Sequence, residues 1–240
     1  MNSTFTGFGP QALSFFSALA FHQNRDWMEA NKALYETDVR QPMGLLLDDL
    51  SAEMARRDVP LRGALKTSMF RLNRDVRFSK DKSLYKIAAG AVLTRSGSKN
   101  EQGLLYVHID PQGSFIACGV HHPLPAQLAE IRHDIVSRAH AFRAACAAMD
   151  GRTLSDEDRL TRAPRGFEAV AEADLASALR LRSLVFRQSL PDADVFSSRL
   201  VATIAAFAEQ SAPFLRFCWN ALDRVPLDER EDARKLKGRA

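Results

Sequence analysis

Arg71, Arg74, Asp75, Arg77, Asp81, Lys82, Tyr85 and Lys86 all fall within the segment RLNRDVRFSKDKSLYK. These residue types suit the capture of an anion. Guanidinium groups hold a carboxylate or phosphate through paired hydrogen bonds, and ammonium groups add compact charge. Arg71 and Arg77 could clamp such a group, with Lys82 and Lys86 adding charge and Tyr85 donating a hydrogen bond. Asp75 could orient the arginines. If a reaction follows binding, Asp75 or Asp81 are the carboxylates within reach to act as general base. From Arg62 to Lys86 the chain carries eight basic residues against two acidic ones. That local charge of +6 exceeds the +4 of the whole chain, so the other residues are slightly acidic, at −2.

A strand period sharpens this picture. If residues 70–78 form one strand, Phe70, Leu72, Val76 and Phe78 share a face, because alternate side chains point the same way. Arg74 falls on that apolar face, whereas Arg71, Asn73, Asp75 and Arg77 share the other. A buried arginine needs a carboxylate, or a bulge that re-aims it. Ser79 to Lys82 then form a turn, and Tyr85 and Lys86 come back alongside Arg77 and Arg71. The same residues also suit a solvated ion-pair network that only stabilises the fold, since such networks resemble functional sites.

Other reactive residues are more scattered. His108 shares a strand face with Tyr106, opposite Leu105, Val107 and Ile109, and could carry a proton if that face meets the arginine cluster. His121 and His122, as strand neighbours, should point to opposite faces, and His133 and His140 stand two helical turns apart. No metal-ligand spacing is present, and no metal site is expected. Arg165, in the loop Ala163-Pro164-Arg165-Gly166-Phe167, is a further candidate anion contact. GxSxG, GxxxxGK[ST] and GxGxxG are all absent, which leaves any cofactor unknown. Cys118, Cys146 and Cys218 are widely spaced and odd in number, so free thiols and a reducing, cytoplasmic compartment are expected. No basic start precedes an apolar stretch, and no apolar run approaches the ~20 residues of a membrane helix.

The elements that must position these residues read as one α+β domain over residues 1–223, with a charged, flexible tail over 224–240. Apolar spacing predicts a helix after Pro10. A second helix is predicted over about 26–39, to be broken or kinked by Pro42, and a third carries Leu46, Leu50 and Met54. A mostly antiparallel sheet is predicted over about 69–120, with a further strand near 184–188. Asp110-Pro111-Gln112-Gly113 fits a type I turn between two of its strands. The strands follow one another too closely for helical crossovers, which is why the sheet should be antiparallel. A helix from Pro125 to about Met149 should end at Gly151. Another helix should run through Ala208, and Pro213 should start a short last one.

Arg71, Arg74, Asp75, Arg77, Phe78, Asp81, Lys82 and Tyr85 fit the pattern RxxRDxRFxxDKxxY. This resembles the signature of a sparsely distributed bacterial family described only as a domain of unknown function. The resemblance extends over nearly the whole chain, through the GFGPQALSFF opening, the helix start at Asn24 to Trp27, Ile131-Arg132 and the APRGF loop. Leu84 departs from it, since members often carry proline there. The resemblance implies no activity, but it makes the charged segment the family's hallmark. An anionic small molecule is thus the expected partner, and Arg71, Arg74, Arg77, Lys82, Tyr85, Lys86 and Arg165 are its candidate contacts. A nucleic-acid surface is one alternative, and a structural or partner-binding role is another. A homodimer through the apolar helices is also open.

Overall fold

Short apolar runs bounded by turn residues form the sheet. A computed structural model of the protein describes residues 4–77 and 81–226. Ala89–Leu93 forms β1, Leu104–Ile109 forms β2, Phe115–Val120 forms β3 and Leu184–Ser189 forms β4. They make one antiparallel sheet in the order β1-β2-β3-β4. The chain is thus α+β, as its pattern predicts. β1 is buried along its whole length, whereas β2 alternates between buried and half-buried residues, as expected of a strand with one covered face. Ala89 pairs with Ile109 and Leu93 with Leu105, which fixes the register. The turn between β2 and β3 forms as its residues dictate. Gly113 N–H donates to the Asp110 carbonyl at 3.1 Å, and the Asp110 carboxylate accepts from Gln112 N–H at 2.7 Å.

Two helical boundaries differ from expectation, both at prolines. Pro42 does not end a helix. The chain passes from a wide π-helical stretch, Tyr35–Arg40, into the helix Gln41–Arg56, and Pro42 lies in the first turn of the latter. There its missing N–H costs nothing. Pro213 does not start a helix but lies inside Arg199–Leu222. Leu200, Ile204, Phe207, Phe214, Leu215 and Cys218 are all buried along that helix, and this continuous apolar stripe outweighs the one hydrogen bond that proline removes.

The chain groups into two units. Among the described residues, the first comprises 4–77, 81–101, 105–116 and 188–209. Its core is built on Phe15, Phe16 and Leu19 of the helix Ala12–Phe21, and on Leu46, Leu47, Leu50 and Met54 of Gln41–Arg56. The second comprises 102–104, 117–187 and 210–226. Ile131, Ile135, Phe142, Leu179, Phe186 and Phe214 are buried in it, with the Phe186 and Phe214 rings edge to face. The charged tail expected over 224–240 lies mostly outside the described residues. Arg224 at its start is held, donating to Glu130 at 3.0 Å and to Asp134 at 2.6 Å. Among the described residues no helix is long and apolar enough to cross a membrane.

Gly119 in β3 shows how tightly the second unit is packed. Its φ is +129°, and a Cβ there would overlap the Leu184 carbonyl oxygen. A backbone atom cannot rotate away, so overpacking and backbone strain act together. Gly119→Ala should therefore cost at least about 2 kcal/mol of stability. Urea unfolding of the wild type and the variant measures it.

Candidate functional site

β1 lies at one end of the sheet, and an irregular segment covers its free edge. Arg62 and Thr94 exchange backbone hydrogen bonds of 2.9 and 3.0 Å. Met69 pairs with Ala91, and Phe70 N–H donates to the Gly90 carbonyl at 2.9 Å. From this seam the basic segment leaves as a narrow hairpin. Asn73 pairs with Tyr85, Arg74 N–H reaches the Leu84 carbonyl at 2.9 Å, and Lys86 N–H reaches the Leu72 carbonyl at 2.8 Å. The expected alternation holds over the described part: Leu72 is buried and Phe70, Arg74 and Val76 are half-buried, whereas Arg71, Asn73, Asp75 and Arg77 are exposed.

A continuous strand over 70–78 does not form. Asp75 accepts from the Arg77 N–H at 3.2 Å, and Asp81 accepts from the Ser83 N–H at 2.9 Å and its hydroxyl at 2.6 Å. Such local side-chain bonds compete with a ladder and turn the chain instead. Phe78 and Lys80 lie outside the described residues.

The charges sort into two groups. Arg74, inward and half-buried, meets the Asp81 carboxylate, so the carboxylate rather than a bulge resolves its position. Arg77 grips Asp75 with two parallel bonds, Nε to Oδ1 at 2.9 Å and Nη2 to Oδ2 at 2.6 Å. Lys82 donates to the Val76 carbonyl at 3.1 Å. These cations are engaged within the hairpin. Hydrogen bonds from Arg77 hold the Asp75 carboxyl down at about 2, and bonds from Ser83 and then Arg74 hold Asp81 well below the usual carboxylate range. Carboxylates so stabilised are weak bases, and both are engaged by arginines of the hairpin itself. Tyr85 is also corrected. It is 7% exposed, and its N–H donates to the Gln23 side chain at 2.8 Å.

The second group is different. Arg71 is exposed and has no hydrogen-bond or ion-pair partner among the described residues. Lys86 extends over the Phe70 ring, 5.2 Å from its centre. Its ammonium is partly desolvated there, and its pKa falls below the ordinary 10.5, first through desolvation and then through Arg71, Lys99 and Arg74. Lys99 enters only with the structure. In sequence it belongs to the polar loop SGSKNEQG, and nothing local brings it to Lys86.

Phe70 also joins the hairpin to the half-buried face of β2. Its ring meets Tyr106 edge-on at 6.2 Å. Tyr106 Oη lies 2.8 Å from His108 Nδ1, and His108 Nε2 lies 3.2 Å from Asp110 Oδ2. Burial, and then the Asp110 charge, push the Tyr106 hydroxyl up to about 12. Tyr106 Oη and Nδ1 thus share one hydrogen bond, and Nε2 faces the Asp110 carboxylate. Phe115 covers the imidazole at 4.6 Å. The face of His108 thus meets the hairpin through Phe70 and Lys86 rather than through an arginine. Both ring nitrogens have partners, so His108 stands at the centre of a Tyr106–His108–Asp110 chain.

The remaining candidates lie elsewhere. Arg165 is exposed in a tight turn of the second unit, beside Gly166 at φ +88°. His121 and His122 follow β3 rather than lying in it, and φ +44° at His122 brings their rings to 4.2 Å instead of opposite faces. Cys118, Cys146 and Cys218 are free thiols. Burial pushes Cys118 and Cys146 up to about 12, which leaves them unreactive. Among the described residues, no three His, Cys, Asp or Glu side chains gather as a metal site.

Residues 11–217 match the family described as "Conserved hypothetical protein (DUF2461)". The chain belongs to this family. Neither a curated protein nor a solved structure matches it. The DUF2461 match includes the sheet, the covered edge of β1 and the hairpin, as well as Arg165 in the second unit.

The Asp75–Arg77 pair is directly testable in this DUF2461 chain. The folded-state pKa of Asp75 lies below its ordinary 3.8, so the pair stabilises fully above about pH 4 and is lost as pH falls through about 2. In Arg77→Ala the Asp75 midpoint should climb back towards 3.8. Carboxyl-detected NMR titration of both proteins measures it.

Proposed function

We propose that this DUF2461 protein binds an anionic, phosphate- or carboxylate-bearing small ligand on the hairpin face. The observation carrying this reading is the placing of Lys86 over the Phe70 ring beside exposed Arg71, where desolvation first, and then the charges of Arg71, Lys99 and Arg74, disfavour its ammonium; Asp75, held by Arg77, is the carboxylate whose charge acts on Arg71, and no salt bridge joins the two. Like charges held together disfavour the charged state, and an anion between them reverses the penalty. Arg74, Arg77 and Lys82 then shape the hairpin, with Asp75 and Asp81 as their fixed partners. A nucleic-acid surface is less well supported. Tyr85 is buried and Phe70 is covered by Lys86, so the described part of the hairpin offers no open ring on which a base could stack. The three free thiols suit a reducing compartment, and we place the protein in the cytoplasm.

Calorimetric titration with inorganic phosphate and with citrate tests this reading. Saturable binding should weaken about tenfold to a hundredfold in Arg71→Ala/Lys86→Ala, as loss of charge-assisted bonds requires. It should also weaken with added salt. In the wild type, the ligand should move the Lys86 ammonium back up towards 10.5. Equal binding by the folded double variant, or no saturable binding by the wild type, would overturn the reading.

A further inference from the structure

Between its two anchor points on β1, the covering segment departs from the edge. Seven residues separate Arg62 from Met69, whereas three separate their partners Thr94 and Ala91. The surplus folds outward through the short turn Leu65–Ser68. Opposite it stands the loop after β1, where Gly97 adopts φ +78°. Between them is a recess of about 620 Å³, within the range of small-molecule sites. Arg62, Lys66, Thr67, Ser98, Lys99 and Asn100 line it.

The recess is cationic for a structural reason. Glu101, the acid of the loop, is turned inward. It accepts from Arg95 at 3.2 Å, from the Ser96 N–H at 2.7 Å and from the Ser96 hydroxyl at 2.6 Å. Arg62, Lys66 and Lys99 are left without an ion-pair partner among the described residues. Arg62 runs along Gly97, with its Nε 3.7 Å from where a Cβ would stand, so the arginine lies against the loop. The walls are themselves fixed. Ser51 bonds both the N–H and the carbonyl of Gly63 at 3.0 Å, and Ser68 accepts from the Ala64 N–H at 3.1 Å. These bonds fix the backbone from which Arg62 and Lys66 project.

We infer that this recess is a binding site for a phosphorylated small molecule of nucleoside-monophosphate size. Arg62, Lys66 and Lys99 take the phosphate, and Thr67 and Asn100 offer hydrogen bonds to the uncharged part. Three cations favour a doubly charged phosphate over a single carboxylate. The volume exceeds what a bare phosphate fills. The site is separate from the one proposed on the hairpin face. Lys99 is common to both, so the test turns on Lys66 and Arg62 for the recess and on Arg71 for the hairpin.

Adenosine 5′-monophosphate and ribose 5-phosphate, with adenosine and ribose as uncharged controls, are titrated into the full chain and followed by amide NMR. Saturable shifts at the Gly63 and Gly97 amides are expected with the phosphates and not with the controls. Lys66→Ala and Arg62→Gln should each weaken adenosine 5′-monophosphate at least tenfold as read at the Gly63 and Gly97 amides, whereas Lys32→Ala, at a surface lysine paired with Glu29, leaves it within about twofold; Lys66 is exposed, and the variant spectra report that the fold is retained. Equal shifts with adenosine, or no saturable shift at millimolar phosphate ester, overturn the inference. So does binding that survives Lys66→Ala and Arg62→Gln, and if Arg71→Ala alone removes it, the hairpin reading stands without this one.

Discussion

The exposed edge of β1 is the constraint on which the basic region depends. A strand at the end of a sheet presents unpaired N–H and carbonyl groups, which must be paired, covered or left to recruit another chain. Here β1 is buried on both faces, so its edge cannot rely on water throughout. Residues 62–70 cover it at two points, Thr94 and the Gly90–Ala91 pair. Everything cationic is placed by those points. The chain between them forms one wall of the recess, and the chain beyond them forms the hairpin.

Charge is then distributed by local geometry. The short acidic side chains at the hairpin serve first as turn makers, through their bonds to the Arg77 and Ser83 amides, and second as ion-pair partners. Each double role fixes one arginine. Glu101 does the same for Arg95 and Ser96 in the loop. With the nearby acids taken up in this way, positive charge accumulates at Arg71, Lys86, Lys99, Lys66 and Arg62. A net charge of +4 conceals that division.

Patterns of short range were legible in the sequence. Alternation placed Arg74 inward and Arg71, Asp75 and Arg77 outward, and turn chemistry located the β2–β3 turn. The four strands were legible too, because their apolar runs are short and bounded by polar turns. Long-range pairing was not. Nothing near Lys99 or Lys66 announces that a loop and a covering segment face each other, since their proximity follows from Arg62 meeting Thr94. Tyr85 read as a ligand contact because its hydroxyl suits one, but it is buried, with its backbone held by Gln23 from a distant part of the chain. Pro42 read as a break or kink in a helix, and Pro213 as the start of one. A π-helical entry and a continuous buried stripe override that local rule.

The three bridges of the basic region are nested: Asn73–Tyr85 lies inside Met69–Ala91, which lies inside Arg62–Thr94. With the innermost formed, the next has only four residues to close on one arm and six on the other. The outermost then adds seven and three. Loop-closure entropy grows with the length still free, so each pairing makes the following one easier. The edge of the sheet can therefore be zipped shut from the charged tip inward. The same segment that concentrates positive charge thus also lowers the contact order of the strand it protects.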